Sequence, residues 1–232
     1  MVRNGPSDEA DAVSQLLPGE EFAVLDITAG WAWGYCALDH RVGYVEAIEL
    51  TAPLEPTHIV IEAQAPVQSE PDPMAPALSF LPMGSRLHGN VQGATLEFEG
   101  GFIPLSYLRP IDEPEEDPVT VAQRLMGALY LRGGRSLHGV DCSGLVQLSL
   151  QLCGIDCPRD TVDQRQLGEP VPEGAPLRRG DLLFCGEHVG MMVDDRMAIQ
   201  VSHEAQKVTV EPFTCAQPAG SAEGLERRRI SS

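Results

Sequence analysis

A cysteine preceded by an acid and followed by small residues, Asp141-Cys142-Ser143-Gly144, opens onto the apolar run Leu145-Val146-Gln147-Leu148. Gly133-Gly134 and Gly139 upstream make turns, and the run that follows makes a helix. Cys142 therefore sits at a helix N-terminus, where free backbone N–H groups and the positive end of the dipole favour thiolate over thiol. Asp141 is placed to cap that end, and Ser143 and Gly144 leave room for a substrate beside the sulfur. Further on, Gly180-Asp181-Leu182-Leu183-Phe184 and His188-Val189-Gly190-Met191-Met192-Val193 read as two short strands, with His188 opening the second. A thiol on a helix and an imidazole on a strand, distant in sequence, is an arrangement that activates a nucleophile.

These residues stand in a longer ordered series: Tyr130, Gly133-Gly134-Arg135-Ser136, Asp141 to Gln147, Pro158-Arg159-Asp160, Gly180-Asp181-Leu182 and His188-Val189-Gly190. From about Pro118 to Phe213 the series resembles the NlpC-type family of bacterial cell-wall cysteine peptidases. The resemblance implies an α+β fold, a papain-like cysteine peptidase domain, with no cofactor and no metal. Cys142 would attack the amide carbonyl while His188 takes and returns the proton. The first turn of the helix, including the Cys142 N–H, is a candidate oxyanion site.

A third residue must orient His188. The family often has a second histidine on the next strand; here the matching position in Met197-Ala198-Ile199-Gln200-Val201 is Gln200. An amide oxygen can accept the Nδ1–H bond in its place. Residues 188 and 200 share a sheet face only if the turn at Asp194-Asp195 has an odd loop or a bulge. A two-residue hairpin would set 188 opposite 201 and make His203 the reserve orienter. The family places a tyrosine at position 130 in the site, and substrate contacts at Asp141, Ser143 and Thr161, the last replacing a common serine. Asp141 has a plain alternative as a helix cap. Arg132 stands where the family usually has tryptophan.

The whole chain has 232 residues and a formal net charge of −18, which argues against nucleic-acid binding and against electrostatic docking on anionic membranes. Six cysteines show no metal-ligand spacing and read mostly as reduced thiols. No basic-plus-apolar leader and no apolar run of spanning length is present, so a cytoplasmic protein is expected.

Ahead of the peptidase segment, two stretches carry short strand patterns. Residues 1–53 alternate at Glu21 to Leu25, are aromatic at Trp31 to Tyr35 and β-branched at Val42 to Val45. Val2 to Ser7, Leu17-Pro18-Gly19-Glu20, Gly30-Trp31 and Gly43-Tyr44-Val45 resemble a bacterial SH3-like barrel, one that starts inside its usual opening strand. Residues 54–111 read as a second such barrel. Residues 112–118 form an acidic, proline-bearing linker to a helix at Val119 to Met126, the peptidase domain covers 119–215, and 216–232 is read as a flexible tail. The expected architecture is thus the papain-like domain preceded by two small SH3-like β-barrels.

The resemblance implies hydrolysis of the γ-D-glutamyl–diamino acid amide of murein peptides, usually at diaminopimelate. Pairing with two barrels resembles dipeptidyl-peptidase-type enzymes that act on short free peptides with N-terminal L-Ala, in cell-wall recycling. Tyr44 and Glu46 on the first barrel are candidates to meet the peptide amine. Two alternatives stand beside this: a catalytically degenerate binding protein for murein peptides, and a cysteine-dependent acyltransferase on the same fold. The sequence leaves the oligomeric state open.

Overall fold

A computed structural model describes residues 1–214 and 224–230. The chain divides into two compact units, Met1–Pro114 and Glu115–Ser232.

The first unit is all β apart from two single-turn 3-10 segments. Strands β1 (Val2–Arg3), β2 (Ala12–Ser14), β3 (Phe22–Thr28), β4 (Trp31–Cys36) and β5 (Val42–Glu46) form a five-stranded sheet in the order β2-β1-β5-β4-β3. It closes on its own small core of Val2, Ala32, Cys36 and Val45. Eight further strands follow: β6 (His58–Val60), β7 (Gln64–Gln68), β8 (Ala77–Pro82), β9 (Arg86–Leu87), β10 (Asn90–Gln92), β11 (Thr95–Phe98), β12 (Gly101–Pro104) and β13 (Leu108–Pro110). They make sheets β10-β11-β12-β7-β8 and β13-β6-β9 around a second core that includes Val60, Val67, Leu96 and Ile103. The unit thus holds two cores, the first under one antiparallel sheet and the second under two, consistent with an SH3-like β architecture ahead of the second unit.

The second unit opens with α1 (Pro118–Gln123), shorter than the expected helix to Met126. Asp117 caps it, accepting from the Val119 N–H at 3.1 Å and from the Thr120 hydroxyl at 2.6 Å. Glu115 donates its N–H to Leu152 O and pairs with Arg124 at 3.2 Å. The C-terminal half of the acidic segment is therefore bound into the second unit rather than spanning freely. Next come β14 (Arg135–Ser136), β15 (Gly139–Val140), α2 (Cys142–Leu152), α3 (Thr161–Gln164) and β16 (Glu169–Pro170). Then follow β17 (Leu182–Cys185), β18 (His188–Met192), β19 (Met197–Ser202), β20 (Lys207–Pro212) and β21 (Glu226–Arg229).

Residues 143–150 of α2 are all buried, as expected of a helix whose apolar residues leave no polar face. It packs on α1 and against β18 and β19. Those strands are the middle of a six-stranded antiparallel sheet ordered β16-β21-β17-β18-β19-β20. The helix that starts at the cysteine and the strand that starts at the histidine are thereby the two halves of one core.

The tail reading needs correction. Residues 226–229 are β21, an interior strand paired with β16 and β17. Arg229 donates to both oxygens of buried Asp181, at 2.8 and 2.7 Å, and Arg165 pairs with Glu226 at 2.8 Å. A carboxylate as enclosed as Asp181 demands a partner, which the composition of the segment does not reveal. The rest of that expectation, residues 215–223 and 231–232, lies outside the described residues, and Cys215 with it. Among the described cysteines, Cys36, Cys142, Cys153 and Cys157 are outside any disulfide, while Cys185 is disulfide-bonded. No helix among the described residues is long and apolar enough to cross a membrane.

Candidate active site

The candidate nucleophile, Cys142, is positioned by contiguous chain. The β14–β15 hairpin delivers Asp141, whose extended backbone (φ −98°, ψ 172°) turns into α2. Asp141 Oδ1 accepts from the Gly144 N–H at 2.7 Å and from the Ser143 hydroxyl at 3.3 Å. Its Oδ2 accepts from the Gly133 N–H and from Arg159 Nη2, each at 2.7 Å. One carboxylate thus ties the glycine turn, the helix start and a buried arginine together. At Gly144, a Cβ would run into the Gly134 carbonyl, so this close approach of turn and helix requires glycine.

The Cys142 thiol keeps some exposure and lies 3.6 Å from the carbonyl oxygen of Glu187. The backbone N–H groups of Val189 and Ser143 also reach it. Contacts with residues 187 and 189 place the sulfur against the start of β18, where His188 stands between them. The helix-end expectation of a thiolate is corrected here. Burial, and then the Asp141 charge, push the thiol above its ordinary range, outweighing the N–H groups and Arg159. Desolvation of a small anion is costlier than a single helix end can offset.

His188 is buried at the first position of β18. Its Nε2 lies 2.9 Å from Gln200 Oε1. Gln200 is therefore the residue that meets the ring, through Nε2 rather than the expected Nδ1, which leaves Nδ1 as the other ring nitrogen. The register explains how the two meet. Gly190 pairs with Gln200 and Met192 with Ala198. Val193 donates to Met197 O at 2.7 Å, closing a three-residue loop, 194–196, whose Asp194 carboxylate accepts from the N–H groups of Arg196 and Met197. The odd loop puts 188 and 200 on one face, with Gln200 reaching diagonally to the histidine. A Cβ at Gly190 would come within 3.2 Å of Gln200 Cβ and 3.0 Å of the Phe213 ring, so glycine there opens the diagonal.

Phe213 stacks on the imidazole, with ring centroids 5.4 Å apart and planes at 16°. His203, the reserve orienter, is exposed and tilted against His188 at 4.6 Å. Burial first, and the His203 charge next on that side, hold the His188 pKa below its usual value, against the Gln200 hydrogen bond and the Glu211 charge. A neutral, desolvated imidazole beside a protonated thiol is a base with a proton to take.

The other expected residues divide. Tyr130 is 46% exposed, and its phenol is raised by burial and by the Asp141 and Cys142 charges, so it stands near the nucleophile. Ser143 is turned inward, its hydroxyl accepting from Arg159 Nη1 at 2.8 Å. Thr161 donates to the Glu187 carbonyl at 3.1 Å, bracing the peptide ahead of His188. Ser143 and Asp141 thus make framework contacts, as does Thr161, where substrate contacts were expected. Tyr44 and Glu46 lie on β5 of the first unit, half-buried and exposed respectively. Arg159, Glu187, Glu211 and Phe213 were not singled out from the sequence. Only Arg159 had a signal, its place in the Pro158-Arg159-Asp160 block; the others reach the site through sheet register.

Residues 127–219 match the model of the NlpC/P60 family, and residues 2–50 that of the bacterial dipeptidyl-peptidase Sh3 domain. The γ-D-glutamyl-L-lysine dipeptidyl-peptidase of Bacillus subtilis is 32% identical over 127 residues, covering 50% of this chain and 42% of that protein. The peptidoglycan endopeptidase RipB of Mycobacterium tuberculosis is 36% identical over 104 residues, covering 38% and 43%. The chain thus spans less than half the length of these relatives. An NlpC/P60 family protein from Bacillus cereus has the same fold, with a TM-score of 0.78 and 21% identity over 94% of this chain and 82% of that one. Cys142, His188 and Gln200 thus all fall within a stretch similar to the NlpC/P60 family, which is preceded in sequence by one similar to the bacterial dipeptidyl-peptidase Sh3 domain.

Proposed function

We propose that the protein is a cysteine peptidase that hydrolyses the γ-D-glutamyl–diamino acid amide of short murein peptides bearing a free N-terminal L-Ala. The observation that carries the chemistry is the partly exposed Cys142 thiol lodged between residues 187 and 189, with His188 held by Gln200. Neutral His188 takes the thiol proton as sulfur attacks the amide carbonyl, and the Cys142 N–H at the first turn of α2 receives the oxyanion. The imidazolium then protonates the leaving amine, and water, deprotonated by the same ring, releases the γ-glutamyl acyl group from sulfur. Support for the substrate class comes from the Bacillus subtilis relative's name and from the dipeptidyl-peptidase SH3 match.

In this reading Tyr44 and Glu46 of the first unit are the candidates to recognise the peptide amine, a carboxylate favouring an ammonium. Tyr130 lines the substrate side. A cytoplasmic role in peptide recycling is part of the proposal. Among the described residues, four cysteines outside any disulfide favour a reducing compartment and the Cys185 disulfide opposes it. Thiol trapping of the protein in intact cells decides between them.

The test is release of L-Ala-γ-D-Glu from free tripeptides ending in L-lysine or diaminopimelate, with Cys142→Ala as control. N-acetylation of the tripeptide is expected to cut kcat/KM by about an order of magnitude or more. Equal cleavage of free and acetylated peptides would overturn the amine-recognition reading. No cleavage of either, with tight binding of both, would favour the degenerate binding protein.

A further inference from the structure

Beyond Gln200 the polar chain continues. Gln200 Nε2 donates to Glu211 Oε1 at 2.9 Å. The contact is built like the one before it. On β20, Thr209 pairs with Gln200 and Glu211 pairs with Ala198, so Glu211 stands diagonally from Gln200 on the same face. Glycine lies opposite Gln200 on one side, at 190, and alanine opposite Glu211, at 198. Two small residues therefore leave open the two diagonals along which His188, Gln200 and Glu211 connect.

We infer that Glu211 is a positioning residue for the peptidase reaction, fixing which end of the Gln200 amide faces His188 and thereby which nitrogen of the imidazole carries its proton. A primary amide can rotate by 180° and offer either its oxygen or its NH2 group. An ionised carboxylate only accepts, so Glu211 holds the NH2 group and leaves the oxygen for the histidine. Gln200 Oε1 also only accepts, so Nε2 of His188 must be the donor. Nδ1 then carries the lone pair that receives the thiol proton. Without Glu211 the amide can turn, its NH2 can donate to Nε2, and the ring is driven to the tautomer with a proton on Nδ1, where it cannot act as base. Gln200 is 2% exposed, so no bulk water is at hand to offset a wrong orientation.

Glu211 also adds charge. The groups that act on His188 are Gln200 from β19, His203 after β19, Glu211 from β20 and the apolar Phe213, while the Cys142 thiol from α2 meets the residues on either side of it, 187 and 189. Of these Glu211 is the anion that favours the imidazolium formed during proton transfer. A neutral glutamine backed by a carboxylate thus combines an orienting contact with a charge placed one residue away.

This rests on the Cys142–His188 chemistry proposed above but not on the substrate, so a substrate-free readout separates the two. Nitrogen NMR of the imidazole in the full-length protein near neutral pH should show His188 protonated at Nε2. Glu211→Gln should introduce the Nδ1–H form and slow alkylation of Cys142 by iodoacetamide roughly 3–10-fold. The acid limb of alkylation should move to lower pH, because the imidazolium loses its favourable charge. Glu211→Asp, which keeps the charge, should retain the limb even where the shorter reach costs rate. A wild-type ring protonated at Nδ1 would overturn the inference. So would a Glu211→Gln variant with unchanged tautomer, rate and limb. Lost stability with an unmoved limb in both variants would also reject it, as the mark of a merely structural carboxylate. Failure to cleave murein peptides while these signatures hold would count against the substrate alone.

Discussion

The two halves of the proposed catalytic pair are built in opposite ways. Cys142 is held by contiguous chain: residues 133–144 supply the turn, the cap and the helix start, and Asp141 joins them through four contacts. His188 is held by contacts made across a sheet, from Gln200, His203, Glu211 and Phe213, drawn from two more strands and their ends. The nucleophile side is charged and fully tied, with buried Arg159 paired to Asp141 at 2.7 Å. The base side meets the ring with a neutral amide, with the carboxylate one step behind. The difference teaches that local sequence suffices to aim a thiol, whereas a base whose tautomer matters needs neighbours that only strand register can bring.

The largest effect expected is at Cys142. Replacing it with alanine should lower turnover by at least about a thousandfold, since nucleophile removal leaves only binding and oxyanion stabilisation. Cys36→Ser, Cys153→Ser and Cys157→Ser should leave most activity, and comparable loss from any of them would relocate the chemistry. Next is the scaffold contrast. Asp141→Ala should destabilise the domain by about 3–5 kcal/mol in denaturant melts, because it strips the cap and removes the carboxylate that buried Arg159 meets at 2.7 Å. Gln200→Ala should leave the midpoint closer to wild type while costing tens to a few hundredfold in kcat. If both lose stability equally, the two sides are not built differently.

Within the base side, Gln200→His should keep much of the rate, and His203→Ala should cost less than Gln200→Ala. The reverse order would give the orienting role to His203. Gly190→Ala tests the diagonal directly. A Cβ 3.0 Å from Phe213 and 3.2 Å from Gln200 forces one of them to move, at about 1–3 kcal/mol of overpacking. Its kcat should fall several-fold with KM little changed; wild-type kcat would show that the diagonal is not needed. The smallest effect is on pH. Burial lowers the pKa of His188 and raises that of Cys142. Activity that needs neutral imidazole and protonated thiol should therefore rise through an acid limb below about pH 6.5 and fall only above the ordinary thiol range. A kcat/KM profile with its acid limb above 6.5 would mean that charge, not burial, governs His188.

Much of this was legible in the chain. The helix at Cys142, its Asp141 cap, the strand opening at His188 and the two β segments ahead of them all follow from patterns a few residues long. Gln200 could be ranked above His203 from sequence only conditionally, on the parity of the turn after Val193. Its three-residue loop met that condition. The β21 strand was not legible, because Glu226 to Arg229 has no apolar alternation and its place depends on buried Asp181 needing a partner. Substrate roles for Asp141, Ser143 and Thr161 were read from motif position. What the fold adds are the framework contacts of these groups with Arg159 and the Glu187 carbonyl.

By itself the sequence determined the local setting of Cys142, the proposed nucleophile. Capping, turn formation and helix initiation are short-range interactions that act before any distant contact exists. The tertiary structure alone decided the thiol's protonation and the base's partners. Desolvation depends on what the rest of the core places around the sulfur, and it outweighs the helix end. The His188–Gln200–Glu211 line depends on the register of three strands, where a slip of one residue would turn each side chain to the opposite face.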